Sequence, residues 1–482
     1  MNMKIFPMDE KYQDYLTDES CCSGSAESIS FPESEEQIRE ICQSMRHQGT
    51  SVTLQGGRTG IVGGAVPEGG HVMNLSKMNS VADCVQVQGG RNLLKVEPGV
   101  TLLDLQKQIR KISGPGKLCW PPDPTEPTAS IGGIISSGAK GCSSWYYGET
   151  ASYVEALRYL DSNGEFREIT RGENSLLFHG TYIDEIDLLI GGEGIYGVIT
   201  EATLKLVPAP SVLWGICFFF RDRNDCLAFG EQMRVRGTGD DVSAVTVLEY
   251  IDRKSIDIAE KQKLHMTNIR DLPDVPSEMQ AMVFCEIHGS SEQAVEERAG
   301  MLLELSENHR CSPEDTWAMT GEYGVEKLRA FRHAVPESVN MHIRSLSAEH
   351  PGIMKLGTDM MMKGYTSIDA VDMYENQLRQ AGLEGCIFGH MGSGHLHMNI
   401  LPKDIDEYHR GRELLAHVTL GCSQRGGRAF TEHGIGKVKR EMYAALSGKQ
   451  NIDEICRKKR ELDPELMWNP GNVVDFSLLE DP

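Results

Sequence analysis

Three glycine-rich passages, each set against a strand-like run, constrain this chain more than any other feature. In QGGRTGIVGGAVP, Gly56, Gly57, Gly60, Gly63 and Gly64 follow a strand, so the backbone can turn sharply and bring several N–H groups close to an anion. It is not a dinucleotide fingerprint: G-x-x-G-x-x-G differs from G-x-G-x-x-G, and no helical pattern follows. The second passage, PPDPTEPTASIGGIISSGAKG, spaces Gly133 and Gly138 as a triphosphate loop does. Ala139 stands where that loop needs lysine, which removes its phosphate contact. The third, GGEGIYGVITEATLKLVP, is a glycine turn running into a β-branched strand. Singly, each reads as an ordinary loop; three in order carry the chemistry of the first half.

Between them the pattern alternates. The strand-like ESISF is followed by Pro32, a cap at Ser34 with Gln37 three residues on, and Ile38, Ile41 and Met45 at helical spacing up to Gly49. SVTLQ then reads as a strand. A second helix is expected from Thr101, its apolar face made by Leu102, Leu105, Ile109 and Ile112 before a turn at Gly114 and Gly116. Past Pro208 a second alternating region begins, with AMVFCEIHG as strand and SSEQAVEERAGMLLELSENH as helix. The expectation is an α+β chain: a domain over 1–209, a second over 210–427, and a C-terminal segment over 428–482 too short to stand alone.

Composition excludes several partners. Forty-eight Lys plus Arg against 70 Asp plus Glu give a formal charge of −22, which repels nucleic acid and anionic lipid. The N-terminus lacks the apolar core of a signal peptide, and VLWGICFFF is too short to span a membrane. A cytoplasmic protein is the expectation. The 13 cysteines include no C-x-x-C and no ferredoxin-type run, so they read as reduced thiols packed as small apolar residues.

The second half presents a metal pattern. In GHMGSGHLHMNIL, Leu396, Met398 and Ile400 alternate with His395, His397 and Asn399, so a strand puts the three polar side chains on one face. His390 lies seven residues before His397, across a turn loosened by Gly392 and Gly394. With one carboxylate, for which Glu432 in TEHGIGKVKR is the candidate, two histidines make a site that leaves coordination positions open. Histidine pairs also occur as ordinary surface or structural residues, and that reading stays open at this stage.

Taken together, these residues resemble a known family. YLTDES with FPESEEQI, GGRTGIVGGAVP, VEPGVTLLDL, WPPDP with TASIGG, GGEGIYGVITEATLKL, GHMGSGHLHMNI, TEHGIG and NPGNVV occur in one order, and the chain is similar to FAD-linked D-lactate, glycolate and D-2-hydroxyglutarate dehydrogenases of the vanillyl-alcohol-oxidase fold. The resemblance implies a two-subdomain FAD-binding domain, an α/β substrate domain, and a C-terminal segment returning to the flavin site. It places the FAD pyrophosphate on Gln55, Gly56, Gly57, Arg58, Thr59, Gly60, Gly63 and Gly64. The rest of the cofactor falls to Pro122, Asp123, Ser130, Ile131, Gly132, Gly133, Gly138, Glu193, Gly194, Gly197, Val198, Ile199 and Asn472. No histidine or cysteine lies between Gly57 and Gly60, so FAD is expected to bind noncovalently. The family's N-A-G-G appears here as Gly138-Ala139-Lys140-Gly141.

For the second half the resemblance implies a divalent ion, zinc, iron or manganese, on His390, His397 and Glu432, with His433 as base. Arg332 in LRAFRHAVPESVN and Lys355 in PGIMKLGTDM would bind the substrate carboxylate, and Asn399 closes the first motif. Ser393-Gly394-His395 replaces the family's Asp-Gly-Asn, making His395 an extra imidazole that either competes as ligand or faces solvent. The family's D-V-x-x-P after the lysine is Leu356-Gly357-Thr358-Asp359-Met360 here. The expected reaction is oxidation of a small 2-hydroxy acid, D-lactate or glycolate first, by hydride transfer to flavin. With no iron–sulfur run or nicotinamide fingerprint, the electrons need an external acceptor: an electron-transferring flavoprotein, an iron–sulfur subunit or a quinone. A homodimer is compatible. The competing readings are a non-redox flavin transferase of the same fold, like the alkyl-glycerone-phosphate synthase, and a non-flavin metalloenzyme built on two histidines and one carboxylate.

Overall fold

The structure, a computed structural model, describes residues 4–83, 85–86, 90–114, 117–236, 238–240 and 242–480; Gly116 of the expected turn lies outside them. The chain divides into two units. The first comprises Met1–Gly141, Glu149–Pro208 and Glu432–Pro482, and the second Cys142–Gly148 and Ala209–Thr431. The inclusion of Cys142–Gly148 in the second unit has no signature in the sequence.

The first unit begins with β1 (Ile5–Pro7), β2 (Ser28–Ser30), α1 (Glu35–His47), β3 (Val52–Gln55) and β4 (His71–Asn74), the strands ordered β1-β2-β4-β3. α1 starts because the Ser34 hydroxyl accepts the Gln37 N–H at 3.4 Å. Its Ile38, Ile41 and Met45 are buried with Val52, Met73 and Trp468. A second sheet follows: β5 (Val85–Gln86), β6 (Asn92–Val96), β7 (Leu118–Cys119), β8 (Val154–Leu160), β9 (Phe166–Thr170), then the separate hairpin β10 (Ser175–Phe178) and β11 (Thr181–Asp184), and β12 (Val198–Pro208). Its order is β5-β6-β12-β8-β9, with β7 also on β12. Between β6 and β7 runs α2 (Leu102–Ser113), capped by Thr101. Leu102, Leu105 and Ile109 are buried, but Ile112 is 37% exposed, so the apolar face ends a turn earlier than expected. The short α3 (Ile131–Ser137) is capped by Ser130 and closed by Gly138 in the left-handed conformation.

The second unit holds α4 (Ser144–Tyr147), β13 (Val212–Phe220), α5 (Arg223–Arg236), β14 (Ser243–Asp252), α6 (Arg253–Gln262), β15 (Ala281–Gly289), α7 (Glu292–Glu307), β16 (Thr316–Thr320), α8 (Gly321–Glu349), β17 (Leu356–Gly357), β18 (Met360–Met361), α9 (Ser367–Ala381), β19 (Gly385–His390) and β20 (His395–Ile400). Seven of these strands form one sheet, β16-β13-β15-β14-β19-β20-β17. On one face Val247, Ile251, Cys386 and Phe388 pack with Phe331, Ala334 and Val335 of α8. Period-two alternation puts Glu249, His390, His395, His397 and Asn399 on that same face. Among the described residues no helix is long and apolar enough to cross a membrane.

Candidate active site

In the first unit the three glycine-rich passages, far apart in sequence, meet. A Cβ on Gly56 would fall 2.0 Å from Ser130 Oγ, which joins the first passage to the second. The second meets the third where Gly191 N–H donates to Ile135 O at 3.0 Å and Glu193 N–H to Ser136 O at 2.8 Å. Gly60 and Gly191 have nothing within 4 Å of where a Cβ would project, space that a side chain would fill. A glycine-lined, turn-rich convergence of this kind suits the phosphates and ring of FAD.

Several predicted cofactor residues do structural work. Gln55 Nε2 donates to the carbonyls of Tyr15 and Ala65, each at 2.7 Å. The Arg58 guanidinium lies 4.4 Å over the Tyr15 ring. Ile131 N–H and Gly132 N–H donate to Val100 O at 2.8 Å and Pro98 O at 2.9 Å, so these two donors anchor the start of α3. Val198 and Ile199 are paired to Leu160 and Tyr159 in the sheet. A Cβ on Gly194 would fall 2.4 Å from Asn469 Nδ2, one on Gly197 2.7 Å from Leu160 O, and one on Gly141 2.1 Å from Asp123 O. Pro122 is buried.

Glu193, buried and at φ +49°, spends its carboxylate on the C-terminal loop: Oε1 accepts Ile435 N–H at 2.6 Å and Oε2 accepts Gly436 N–H at 2.8 Å. Burial pushes its pKa up, partly offset by these two bonds. Asn472 completes the knot, its Nδ2 donating to Gly64 O at 3.0 Å and its Oδ1 accepting from Lys437 Nζ at 2.5 Å. Burial brings the Lys437 ammonium down to about 8. The loop so held carries Glu432 and His433, with His433 Nε2 3.9 Å from Glu432 Oε1.

In the second unit the β19–β20 hairpin builds the histidine cluster. His390 faces His395 across the ladder and Phe388 faces His397. The ring centroids of His390 and His397 are 5.6 Å apart. Gly389, at φ +141°, is required because a Cβ there would sit 2.8 Å from His397 Cδ2. His397 Nδ1 lies 2.9 Å from the Thr358 carbonyl, which only accepts, so Nδ1 carries a proton and, in the neutral ring, Nε2 carries the lone pair. His390 Nδ1 lies 2.6 Å from Glu249 Oε1, which fixes the same tautomer. Two imidazoles anchored through Nδ1, and therefore binding through Nε2 when neutral, are a donor set that fits a divalent ion.

His395 does not face solvent. It is 3% exposed, and its Nε2 lies 3.5 Å from Asp359 Oδ1 and 3.4 Å from Thr431 Oγ1. The departure Thr358-Asp359 from the family's pattern therefore has a physical use, since both residues orient imidazoles. A Cβ on Gly357 would meet Asn399 Oδ1 at 2.9 Å and Lys355 Cε at 4.0 Å, so the Asn399 amide and the Lys355 stem lie together. Arg332 is 5% exposed; its Nε donates to Glu249 Oε2 at 2.9 Å, and Nη2 pairs with the same oxygen at 2.8 Å.

Glu249 was missed from sequence. Its signal was an acid within the apolar run VTVLEYI, where burial is expensive unless the charge is paired. Burial alone would raise its pKa, but His390 and Arg332 outweigh that and hold it well below the usual carboxylate range. Cys142 was missed too; its Sγ, a Glu249 oxygen and a His390 nitrogen lie within 4.8 Å of one another.

Residues 233–473 match the family described as FAD linked oxidases, C-terminal domain, and residues 26–170 match an FAD binding domain. The D-lactate dehydrogenase of Anaerostipes hadrus is 26% identical over 98% of this chain and 94% of its own length. The glycolate oxidase subunit GlcD of Bacillus subtilis is 26% identical over 93% and 88%. Among solved structures, p-cresol methylhydroxylase with substrate bound superposes with a TM-score of 0.71 at 14% identity, over 98% of this chain and 94% of that one, a likeness of fold.

Proposed function

Because this chain belongs to the FAD-linked oxidases, we propose that it oxidises a small 2-hydroxy acid, D-lactate or glycolate first among them, to the 2-oxo acid. The observation that carries the reading is the buried imidazole pair, His390 and His397, each held through Nδ1, in a chain that also has an FAD-binding domain. Bound FAD supplies the acceptor for the hydride leaving the α-carbon. A divalent ion on His390, His397 and Glu432 would lower the pKa of the substrate hydroxyl.

The chain's own residues do the rest. His433 takes the hydroxyl proton on its imidazole, whose unperturbed pKa of about 6.5 suits that exchange. Arg332 and Lys355 orient the substrate carboxylate, and Asn399, beside Lys355, adds a hydrogen-bonding amide. The glycine passages hold the cofactor noncovalently. The two electrons then pass to an external acceptor, an electron-transferring flavoprotein, an iron–sulfur subunit or a quinone.

The test is the anaerobic visible spectrum of the purified protein before and after D-lactate, with L-lactate, glycolate and D-2-hydroxyglutarate in parallel. Bleaching by one acid supports the reaction and names its substrate. A flavin that stays oxidised with all four removes this reading and favours a non-redox transferase.

A further inference from the structure

Glu249 has no role in the reaction just described, yet it touches two residues that do. It lies on β14 directly opposite His390 of β19 and is 0% exposed. Its oxygens divide their work: Oε1 lies 2.6 Å from His390 Nδ1, and Oε2 accepts from Arg332 Nε at 2.9 Å with Nη2 2.8 Å away as an ion pair. The surrounding strand, Ala244, Val245, Val247, Leu248, Tyr250 and Ile251, is buried and almost wholly apolar. Cohesion of the sheet does not call for an acid here, since apolar replacements of buried ion pairs are often neutral or stabilising.

We infer that Glu249 is a positioning residue that sets the metal-binding imidazole of His390 and the guanidinium of Arg332 through a single carboxylate, an inference that rests on the proposed function. By accepting the Nδ1 proton it sets the tautomer in which Nε2 is the ligand nitrogen of His390 and fixes the plane of the ring. By accepting the Nε–H of Arg332 and pairing with Nη2 it fixes the plane of the guanidinium proposed to bind the substrate carboxylate. Metal affinity and acid affinity are thereby coupled: loosening Glu249 weakens both, although it belongs neither to the proposed ligand set nor to the proposed substrate clamp.

The experiment compares the wild type with Glu249→Gln, Glu249→Asp and His397→Ala, all as FAD-loaded, chelator-treated full chains. Zn²⁺ affinity is read by competition with a chromophoric chelator, flavin content by absorbance, and KM and kcat with whichever of the four acids bleaches the wild type. Glu249→Gln offers one acceptor oxygen and places an NH2 against the other partner. The expected result is unchanged flavin content, Zn²⁺ affinity lower by about 10–100-fold and a raised KM, with partial recovery in Glu249→Asp, which keeps the charge. If His397→Ala loses Zn²⁺ while Glu249→Gln binds it as the wild type does and keeps its KM, the inference falls and the metal reading stands. If the wild type itself takes up no Zn²⁺, the metal reading falls and takes this inference with it. Loss of flavin and fold in both Glu249 variants would mark a purely structural role and overturn it.

Discussion

The Glu193 carboxylate accepts the Gly436 N–H at 2.8 Å, tying the third glycine-rich turn to the loop that carries Glu432 and His433. Glu193 holds a left-handed backbone at φ +49° to do so, a conformation unusual for a residue with a side chain. Glu193→Gln keeps one acceptor oxygen and opposes the other N–H with a donor. We expect it to retain FAD, to lose at least about tenfold in turnover, and to lose about 1–3 kcal/mol of stability. Flavin absorbance, steady-state rates and denaturant midpoints check this; turnover equal to the wild type would dismiss the latch.

Gly436 itself tolerates no side chain. It sits at φ +53°, and a Cβ would fall 2.1 Å from the Val62 carbonyl. Gly436→Ala is expected to cost about 2 kcal/mol or more, since backbone strain and overlap add. Gly300, in the interior of α7, has nothing within 4 Å of its Cβ direction. Gly300→Ala is expected to stabilise by roughly 0.5–1 kcal/mol. Thermal unfolding of the two variants side by side gives opposite signs if the geometry is right.

His433→Asn removes the proposed base while keeping a hydrogen-bonding side chain. The expected outcome is a normal flavin spectrum with turnover lower by about 10²–10⁴-fold. Reductive half-reaction rates, followed by flavin bleaching under anaerobic conditions, separate this from slower reoxidation. Bleaching at the wild-type rate would remove His433 from the chemistry.

Chelator treatment should stop bleaching without releasing FAD, and added Zn²⁺ or Mn²⁺ should restore it. His397→Ala should resist that restoration, because the proposed ligand anchored by Thr358 is gone. Metal analysis of the protein as purified gives the ion; full activity in a metal-free sample would end the case for one.

Stability should fall in mild acid through His71. That residue is fully buried in β4, with Ser28 Oγ at 2.8 Å from Nδ1 and Ser30 Oγ at 2.7 Å from Nε2. Burial lowers its pKa from 6.5 to about 4. A folded value below the unfolded one means that the unfolded chain binds the proton first. The contribution is therefore intact above pH 6.5 and lost as pH falls toward about 4, a total of about 3 kcal/mol. His71→Gln should flatten the dependence of the unfolding midpoint on pH across that window, and an unchanged slope would exclude His71 as its source.

Local order was written into the chain. Ser34 caps α1 as its spacing required, α2 begins after Thr101 as expected, the glycine passages turn where expected, and the alternation around His397 puts three polar side chains on one face. These depend on contacts within a few residues, which periodicity and capping chemistry register directly. What the sequence could not show was which remote groups those side chains would meet. Glu249 lies 141 residues from the histidine it holds, and Glu193 lies 243 residues from Gly436. Thr358 and Asp359 looked like a broken motif until their partners on β20 and beyond were known. A buried carboxylate must find its donors wherever the fold brings them, and strand order is set by the packing of whole faces. The sequence by itself determined the main helices and strands and the FAD-linked family. The tertiary structure alone decided that single carboxylates hold the imidazole, the guanidinium and the C-terminal loop in place, because only folding makes such distant groups neighbours.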